Sequence, residues 1–519
     1  MEKSRYGRVT DMENRNRLSK PRCALFCFLA VFAWGIVAHG YAFSNLTLSH
    51  DAMNEFFLGG SINCFPMSVT EWKVSIGRFL EPVYILLLKG SLATPWLTGI
   101  WALVWIFLIL TVLSRIFDLK SPLALILAAG ILTVNLTVTA GAGGYMTDLD
   151  ADLCAAFLSA LSAFFLLGGG KKRLLAVPCL VLSLGLYQPM ISVSLMSVLL
   201  YCLLSFLRGE NAKETFFKGL SSTLIIAVSC GLYLLVARFL CAMTGIVPEE
   251  TYNGLGAILN FKETSFFSAL AATYKEAAGQ LLFTVSPWGK TVSILLRCLI
   301  LLLDAVLVIR AALRNKAKAA GLVWVLVCLL VMPLAMNAAC LLGGGKSHML
   351  MYYGVWMADL LPLLLLKEER GKAMSVTAAI LLGAVLLSGV ETANALYVRK
   401  EMERDAARQT MTRVLDRLDR TEGYLPGETE VVFLGVPAPE RIAAFGYTYR
   451  ITGSAKTSPI SNEPYYASFF SYLLPSDIRL CDEARRTEVR GQIDESALPA
   501  FPAEGSILWI DGSIVVKMR

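Results

Sequence analysis

The sequence predicts an α-helical polytopic membrane protein with about eleven transmembrane helices and a small C-terminal extracytoplasmic α/β domain. Three observations predict it. Of 519 residues, 56% are hydrophobic and only 17% charged, where a soluble protein carries roughly 25% charged residues. The apolar residues fall in blocks of about 20, each able to cross a hydrocarbon layer of ~30 Å as a helix. Lys and Arg gather in the short segments between blocks, the pattern that orients membrane proteins. A β-barrel would alternate apolar and polar residues, and this chain does not.

The chain opens on a basic tail, residues 1–22, with Lys3, Arg5, Arg8, Arg15, Arg17, Lys20 and Arg22. The apolar run behind it is too long for a cleaved signal and lacks a small-residue cleavage site, so the tail is expected in the cytoplasm. The spans read as 23–43, 96–114, 122–141, 151–169, 174–188, 190–207, 219–245, 291–310, 320–342, 349–366 and 373–396. The segments expected inside, 115–120, 171–173, 208–218, 310–318 and 367–372, all carry Lys or Arg. The loops expected outside are 44–95, 142–150, 246–290 and 343–348, with a turn at Gln188-Pro189. This alternation explains the net charge of +7 without nucleic acid as a partner. It places the N-terminus inside and the C-terminus outside.

Within loop 246–290, Phe266-Phe267 and Leu281-Leu282-Phe283 predict an interfacial helix. Residues 397–519 change character. Val398, Met402, Ala406, Val414 and Leu418 recur at helical spacing among charges. Residues 430–435 read as a buried strand, and 506–510 with 513–517 as a hairpin turning at Asp511-Gly512. Most of the twelve Cys residues lie in spans and act as small apolar groups. Cys64 and Cys481 fall in outward segments, and spacing does not decide whether they pair.

Candidate chemistry gathers in the loops. Asp51, past the first span, could accept a proton from a hydroxyl; the alternative is a helix cap or a solvated acid. Glu55 follows one turn later and reads as structural. Gly77-Arg78-Phe79 could set a guanidinium against a phosphate, although an interfacial Arg commonly snorkels to headgroups. Tyr145, Asp148, Asp150 and Asp152 enter the fourth span. As a helix start they put Asp148 and Asp152 on one face and Asp150 on another. One acid there is explained by the helix dipole; three suggest an acceptor-hydroxyl site or a site for Mg²⁺ or Mn²⁺. Tyr187 and Gln188 supply polar groups suited to a sugar, against a reading as interfacial belt residues. Lys346 and His348 follow three glycines and could bring backbone N–H groups and charge to a phosphate, or form a plain turn. His39, inside a span, reads as a satisfied buried histidine.

Asp51, the later Gly-Arg-aromatic, the Tyr145–Asp148 pair and the Leu186-Tyr187-Gln188 turn occur in the order seen in one family. Over residues 23–400 the chain resembles the type II glucosyltransferases, the serotype-converting O-antigen enzymes and their bacterial relatives. The resemblance implies a GT-C-like fold, a polyprenyl-phosphate-linked donor sugar, typically glucose, and a cell-surface or lipid-linked glycan acceptor. It implies Asp51 as general base, Asp148 and Asp150 as acceptor or metal ligands, and Arg78 on the donor phosphate. Tyr187 and Gln188 would line the sugar pocket. It also implies partners: a membrane transferase that makes the donor and a flippase that delivers it. Two departures stand out: Lys346 and His348 where an Arg is expected, and Phe79 where a Trp is expected.

A sugar on a phosphate is already activated, so no nucleotide cofactor is expected, and the sequence has no P-loop or dinucleotide fingerprint. Direct displacement would invert the anomeric centre. Two other readings stand beside this one. A transporter or flippase for a lipid-linked sugar would be expected to show inverted repeats or broken spans, which the sequence does not suggest. A glycan polymerase or ligase would act through a late loop, whereas these acids come early.

Overall fold

The computed structural model describes residues 19–56, 67–90, 92, 94–250, 255, 264–315, 319–367, 372–437 and 442–519. Among the described residues, eight helices are long and apolar enough to cross a membrane. They are α1 (Lys20–Ser44, its apolar part from Pro21), α5 (Pro95–Ile116), α8 (Leu149–Gly168), α10 (Ile191–Leu207, entered through Gln188–Met190), α11 (Ala212–Thr244), α13 (Lys290–Arg314), α14 (Ala319–Met336) and the first half of α18 (Lys372–Asp419). The protein is a polytopic helical membrane protein.

Three of the eleven expected spans take other forms. The segment 122–141 is broken into α6 (Pro122–Thr133) and α7 (Leu136–Gly144), bent by 42°. Asn135 makes the break. Its amide donates to Ile131 and Leu132 carbonyls, which closes α6, and its oxygen accepts from Val138 N–H, which caps α7. All of 128–144 is buried, so the freed backbone groups sit inside protein. The expectation of unbroken spans was therefore wrong here. The segment 174–188 holds only an 11-residue helix, α9 (Ala176–Leu186). The segment 349–366 is a chain of short turns containing α16 (Tyr353–Trp356) and α17 (Leu361–Leu366).

Short helices fill the loops. Ser49 caps α2 (His50–Asn54), and a Ser68–Glu71 capping box opens α3 (Val69–Ser75). Gly77, at φ +86°, then reverses the chain into α4 (Glu81–Lys89). Loop 246–290 contains α12 (Phe266–Leu282), capped by Ser265, with Ala269, Thr273 and Ala277 buried and Phe267 exposed. The short helix α15 (Ala338–Leu342) precedes the glycine-rich turn.

The amphipathic stretch after residue 397 is no separate helix: α18 runs unbroken for 48 residues. Its buried face is the expected one only in its second half, at Val414 and Leu418. Val398 and Met402 are exposed, while Arg399, Lys400, Glu403, Ala407, Met411, Val414 and Leu418 are buried. The inner stripe starts with charged residues, so apolar spacing misplaces its first two turns.

The C-terminal domain packs Met411, Val414 and Leu418 against a four-stranded sheet. Its strands are β1 (Glu430–Leu434), β2 (Arg479–Leu480), β3 (Ile507–Ile510) and β4 (Ser513–Lys517), in the order β2-β1-β4-β3. β1 pairs in parallel with β2 and β4, and β3 pairs antiparallel with β4. Asp511 and Gly512 both have positive φ, as a two-residue hairpin turn requires. Helices α19 (Tyr465–Ser468) and α20 (Glu483–Gln492) cover the sheet. Cys64 lies outside the described residues, so its pairing with Cys481 does too.

Candidate active site

Lys73, on α3, points inward and is 1% exposed. Its ammonium donates to Asp148 Oδ2 at 2.6 Å, Glu55 Oε2 at 3.0 Å and Glu81 Oε1 at 3.0 Å. Thr147 Oγ1 also donates to Glu55. Four elements thus meet at one cation: α2 through Glu55, α3 through Lys73, α4 through Glu81, and the start of α8 through Asp148. The geometry follows from local signals. The capping box aims α3, Gly77 turns the chain, and Asp148 sits at the N-cap of α8, where the dipole favours a carboxylate.

Arg78 adds a second cation, 3.6 Å from both Glu81 Oε2 and Asp148 Oδ2. Its guanidinium also lies over the Tyr187 ring, 4.5 Å from the centroid. It is partly buried against protein, 16% exposed, and does not snorkel. Burial alone would lower the Arg78 pKa, but Glu81 and Asp152 hold it above its usual value. Lys73 behaves alike: burial opposes its charge, and Asp148 with Glu55 and Glu81 overrides this and raises it.

The carboxyls respond differently. Burial would raise Asp148, yet Lys73, the hydrogen bond with Glu55 and Arg78 bring it well below the carboxylate range. Burial, then Asp148, raises Glu55 well above its normal value. The same causes lift Glu81 to about 7, against Lys73 and Arg78. The cluster therefore holds a firmly ionised Asp148 beside two acids, Glu55 and Glu81, whose burial favours the protonated form.

A cavity of about 130 Å³ opens beside this network. Arg78, Tyr187, Gln188, Tyr233 and His348 line it, with Leu184, Leu234 and Met351 among the apolar walls. Gln188 Nε2 donates to Ile76 O and to Tyr233 Oη, both at 2.8 Å. Tyr233 Oη donates in turn to Gly77 O at 3.2 Å. Phe79 stacks on Tyr233, centroids 6.1 Å apart, and lies against Gly185, which has no side chain to displace it. Tyr145 stacks on His348 at 6.5 Å. His348 does not bring charge: burial, then Arg78, lowers it to about 4, so its imidazole is neutral at physiological pH. Lys346 is exposed and is not among the residues lining the cavity.

Asp150 stands apart. Lys89 Nζ donates to its Oδ1 at 2.6 Å and to Thr147 O, and Tyr84 donates to Oδ2 at 3.1 Å. Trp105 Nε1 donates to Tyr84. The two acids named for a divalent cation are thus each taken by a separate lysine, on different faces of the helix start. Among the described residues no group of three acids, His or Cys could hold a metal. Asp148 and Asp150 as arranged do not fit a shared cation.

Asp51 lies beside His50, Oδ1 to Nε2 3.4 Å, and its side chain is 33% exposed. His50 Nδ1 pairs with Thr457 Oγ1 of the C-terminal domain at 2.9 Å. Asp51 is one turn before Glu55 on α2, so it borders the network without joining its ion pairs. His39 is buried between Tyr397 Oη and Thr133 O. Sequence reading missed Lys73, Glu81, Lys89 and Tyr84. The one signal was their amphipathic setting: charged residues on short helices among Val, Ile and Leu.

Comparison with curated proteins and with solved structures gives no match. One family model does match, that of Glucosyl transferase GtrII, over residues 40–363. These residues include the Lys73 network, Arg78 and the walls of the cavity. The chain belongs to the GtrII glucosyltransferase family.

Proposed function

We propose that this glucosyltransferase moves glucose from a polyprenyl-phosphate donor to a glycan on the extracytoplasmic face of the bacterial plasma membrane. One observation carries the reading: Arg78, the Tyr187-Gln188 turn and His348, from three distant parts of the sequence, line one cavity beside the carboxylate network. Arg78 is the donor-phosphate contact, fixed by Tyr187 and by the acids behind it. A charged donor aimed at a developing phosphate is the kind of group that lowers such a barrier most. Gln188 and Tyr187 line the sugar. The apolar walls suit the first isoprenoid units.

Asp51 is the base. Asp148 and Asp150 are neutralised by lysines, and Glu55 is tied to Lys73 and Thr147. Asp51 keeps a third of its side chain exposed, so an acceptor hydroxyl can reach it. Attack of that oxygen on the anomeric carbon forms the new bond, the C–O bond to phosphate breaks, and the proton passes to Asp51. The anomeric centre inverts. No step is routed through a metal, and the activated donor calls for no nucleotide cofactor. Asp148 serves to hold Lys73 and Arg78 in place.

The topology proposed with this reading is N-terminus in and C-terminus out. A membrane transferase that makes the donor and a flippase that turns it over would supply the substrate. The bend at Asn135 keeps a transporter reading in view, because broken spans occur in transporters. The test is labelled glucose on polyprenyl phosphate, given to the protein in liposomes with a glycan acceptor. Label on the acceptor supports transfer. Donor movement across the bilayer with no label on any acceptor would replace it with the flippase reading.

A further inference from the structure

A second cleft, of about 250 Å³, lies between α18 and the C-terminal domain. Its walls include Thr410 and Arg413 from α18, with Tyr449, Lys456, Ser458 and Arg519 from the domain. The volume approaches the lower end of small-molecule sites, about 300 Å³.

The charge pattern sets it apart. Elsewhere in this domain cations are mostly matched: Arg404 with Glu401, Arg420 with Asp416, Arg485 with Glu488, Arg490 with Glu463 and Lys517 with Glu495. Arg413 and Lys456 are exposed and have no carboxylate partner among the described residues. Arg413 lies over the Phe501 ring instead, 5.6 Å from the centroid. Glu403, the one acidic side chain among the described residues of the wall, is already shared by Arg399 and Lys400. A surplus of positive charge thus faces a cleft lined with hydroxyls.

The cleft also adjoins the proposed base. Lys456 and Ser458 face it, and the residue between them, Thr457, bonds to His50 Nδ1 at 2.9 Å. Lys400 Nζ donates to Thr457 O at 2.5 Å. His50 touches Asp51 at 3.4 Å. One strip of chain therefore forms a wall of the cleft and buttresses Asp51.

We propose that this cleft is the acceptor subsite and that it takes an acidic saccharide, one bearing carboxylate or phosphate groups. The proposal rests on the transferase reading above. Cations left unpaired would both attract such an acceptor and discriminate against a neutral one. The hydroxyl of Thr410 in the wall offers a hydrogen bond to its sugar rings.

The test uses the full chain in lipid nanodiscs, without donor, titrated with tetragalacturonate, with neutral maltotetraose and with inorganic phosphate. The acidic tetramer is expected to bind at least about tenfold tighter than either comparison, and to weaken with salt. The double variant R413E/K456E should lose about tenfold or more of that affinity. Both side chains are exposed, so its unfolding temperature and its binding of polyprenyl-phosphate glucose should stay unchanged. Equal binding of the neutral tetramer, equal binding of phosphate, or an unaffected double variant would overturn the proposal. A protein that transfers glucose yet shows no preference for the acid would sink this inference alone. One that prefers the acid but transfers to no acceptor would take the transferase reading down and the acceptor role with it.

Discussion

Lys73 Nζ lies 2.6 Å from Asp148 Oδ2, and through that contact the first loop is locked to the entrance of α8. Both side chains are almost fully buried. Removing the cation leaves Asp148, Glu55 and Glu81 facing one another with only Arg78, 3.6 Å from Asp148 and Glu81, to compensate. Lys73→Ala should therefore cost about 3–5 kcal/mol of stability, as breaking buried ion pairs does. Thermal unfolding in detergent measures it. Adding Asp148→Asn should recover part of the loss, since it removes one of the stranded charges.

Arg78 is already held in place before any phosphate arrives. Arg78→Ala should lower kcat/KM for the polyprenyl-phosphate donor about 10²–10³-fold. Arg78→Lys should recover only a small part, because an ammonium lacks the planar face that rests on Tyr187. Steady-state transfer assays with varied donor give both values.

Asp51→Asn should leave the fold intact, since the side chain is one-third exposed and its one ion-pair contact among the described residues is with His50. Transfer should fall about 10²–10⁴-fold if the carboxylate takes the acceptor proton. Full activity in a folded Asp51→Asn protein would remove it from the mechanism.

Gly77 has φ +86°, and a Cβ there would stand 2.3 Å from Tyr233 Oη and 3.0 Å from Gln188 Nε2. Gly77→Ala should cost about 1–2 kcal/mol for the left-handed backbone alone. It should also displace the Gln188–Tyr233 pair and so weaken donor binding. Unfolding and donor titration on the same preparation separate the two effects.

Stability should depend on pH through Glu55 and Glu81. Their folded pKa values lie above the ordinary 4.5, about 7 for Glu81. The folded state then binds more protons than the unfolded chain, so their contribution is complete below about pH 4.5 and is lost as pH rises through the folded values. Asp148 is depressed and acts in the opposite sense, but below its ordinary 3.8. The unfolding temperature should fall between about pH 5 and pH 8, and Glu81→Gln should flatten that slope.

Much of this was legible in the sequence for a physical reason. Apolar runs long enough to span declare themselves by length, and Asp511-Gly512 declares its hairpin because few other pairs tolerate two positive φ values. The spacing of Asp148, Asp150 and Asp152 foretold two faces, and Asp148 and Asp150 do meet different lysines. The lysines themselves were not legible. Lys73 and Lys89 are 75 and 61 residues from their acids, and a loop lysine ordinarily reads as solvated. For the same reason a metal looked attractive where two ammonium groups already stood. The break at Asn135 was hidden because one polar residue in an apolar run does not show where its hydrogen bonds go. Glu55 read as structural from position, and only the folded contact with Lys73 shows how closely it borders the site.

The 48-residue α18 works as a gear shaft as well as a pillar. Because it turns about 100° and rises about 1.5 Å per residue, the count of residues between Tyr397, buried in the bundle, and Met411, buried under the sheet, sets the compass bearing of everything mounted on it. Dropping a single residue from that interval would swing the sheet and the strip at Thr457 more than a quarter-turn away from His50. Side-chain changes along the shaft can be absorbed, whereas a change in its length would misalign the two halves of the molecule.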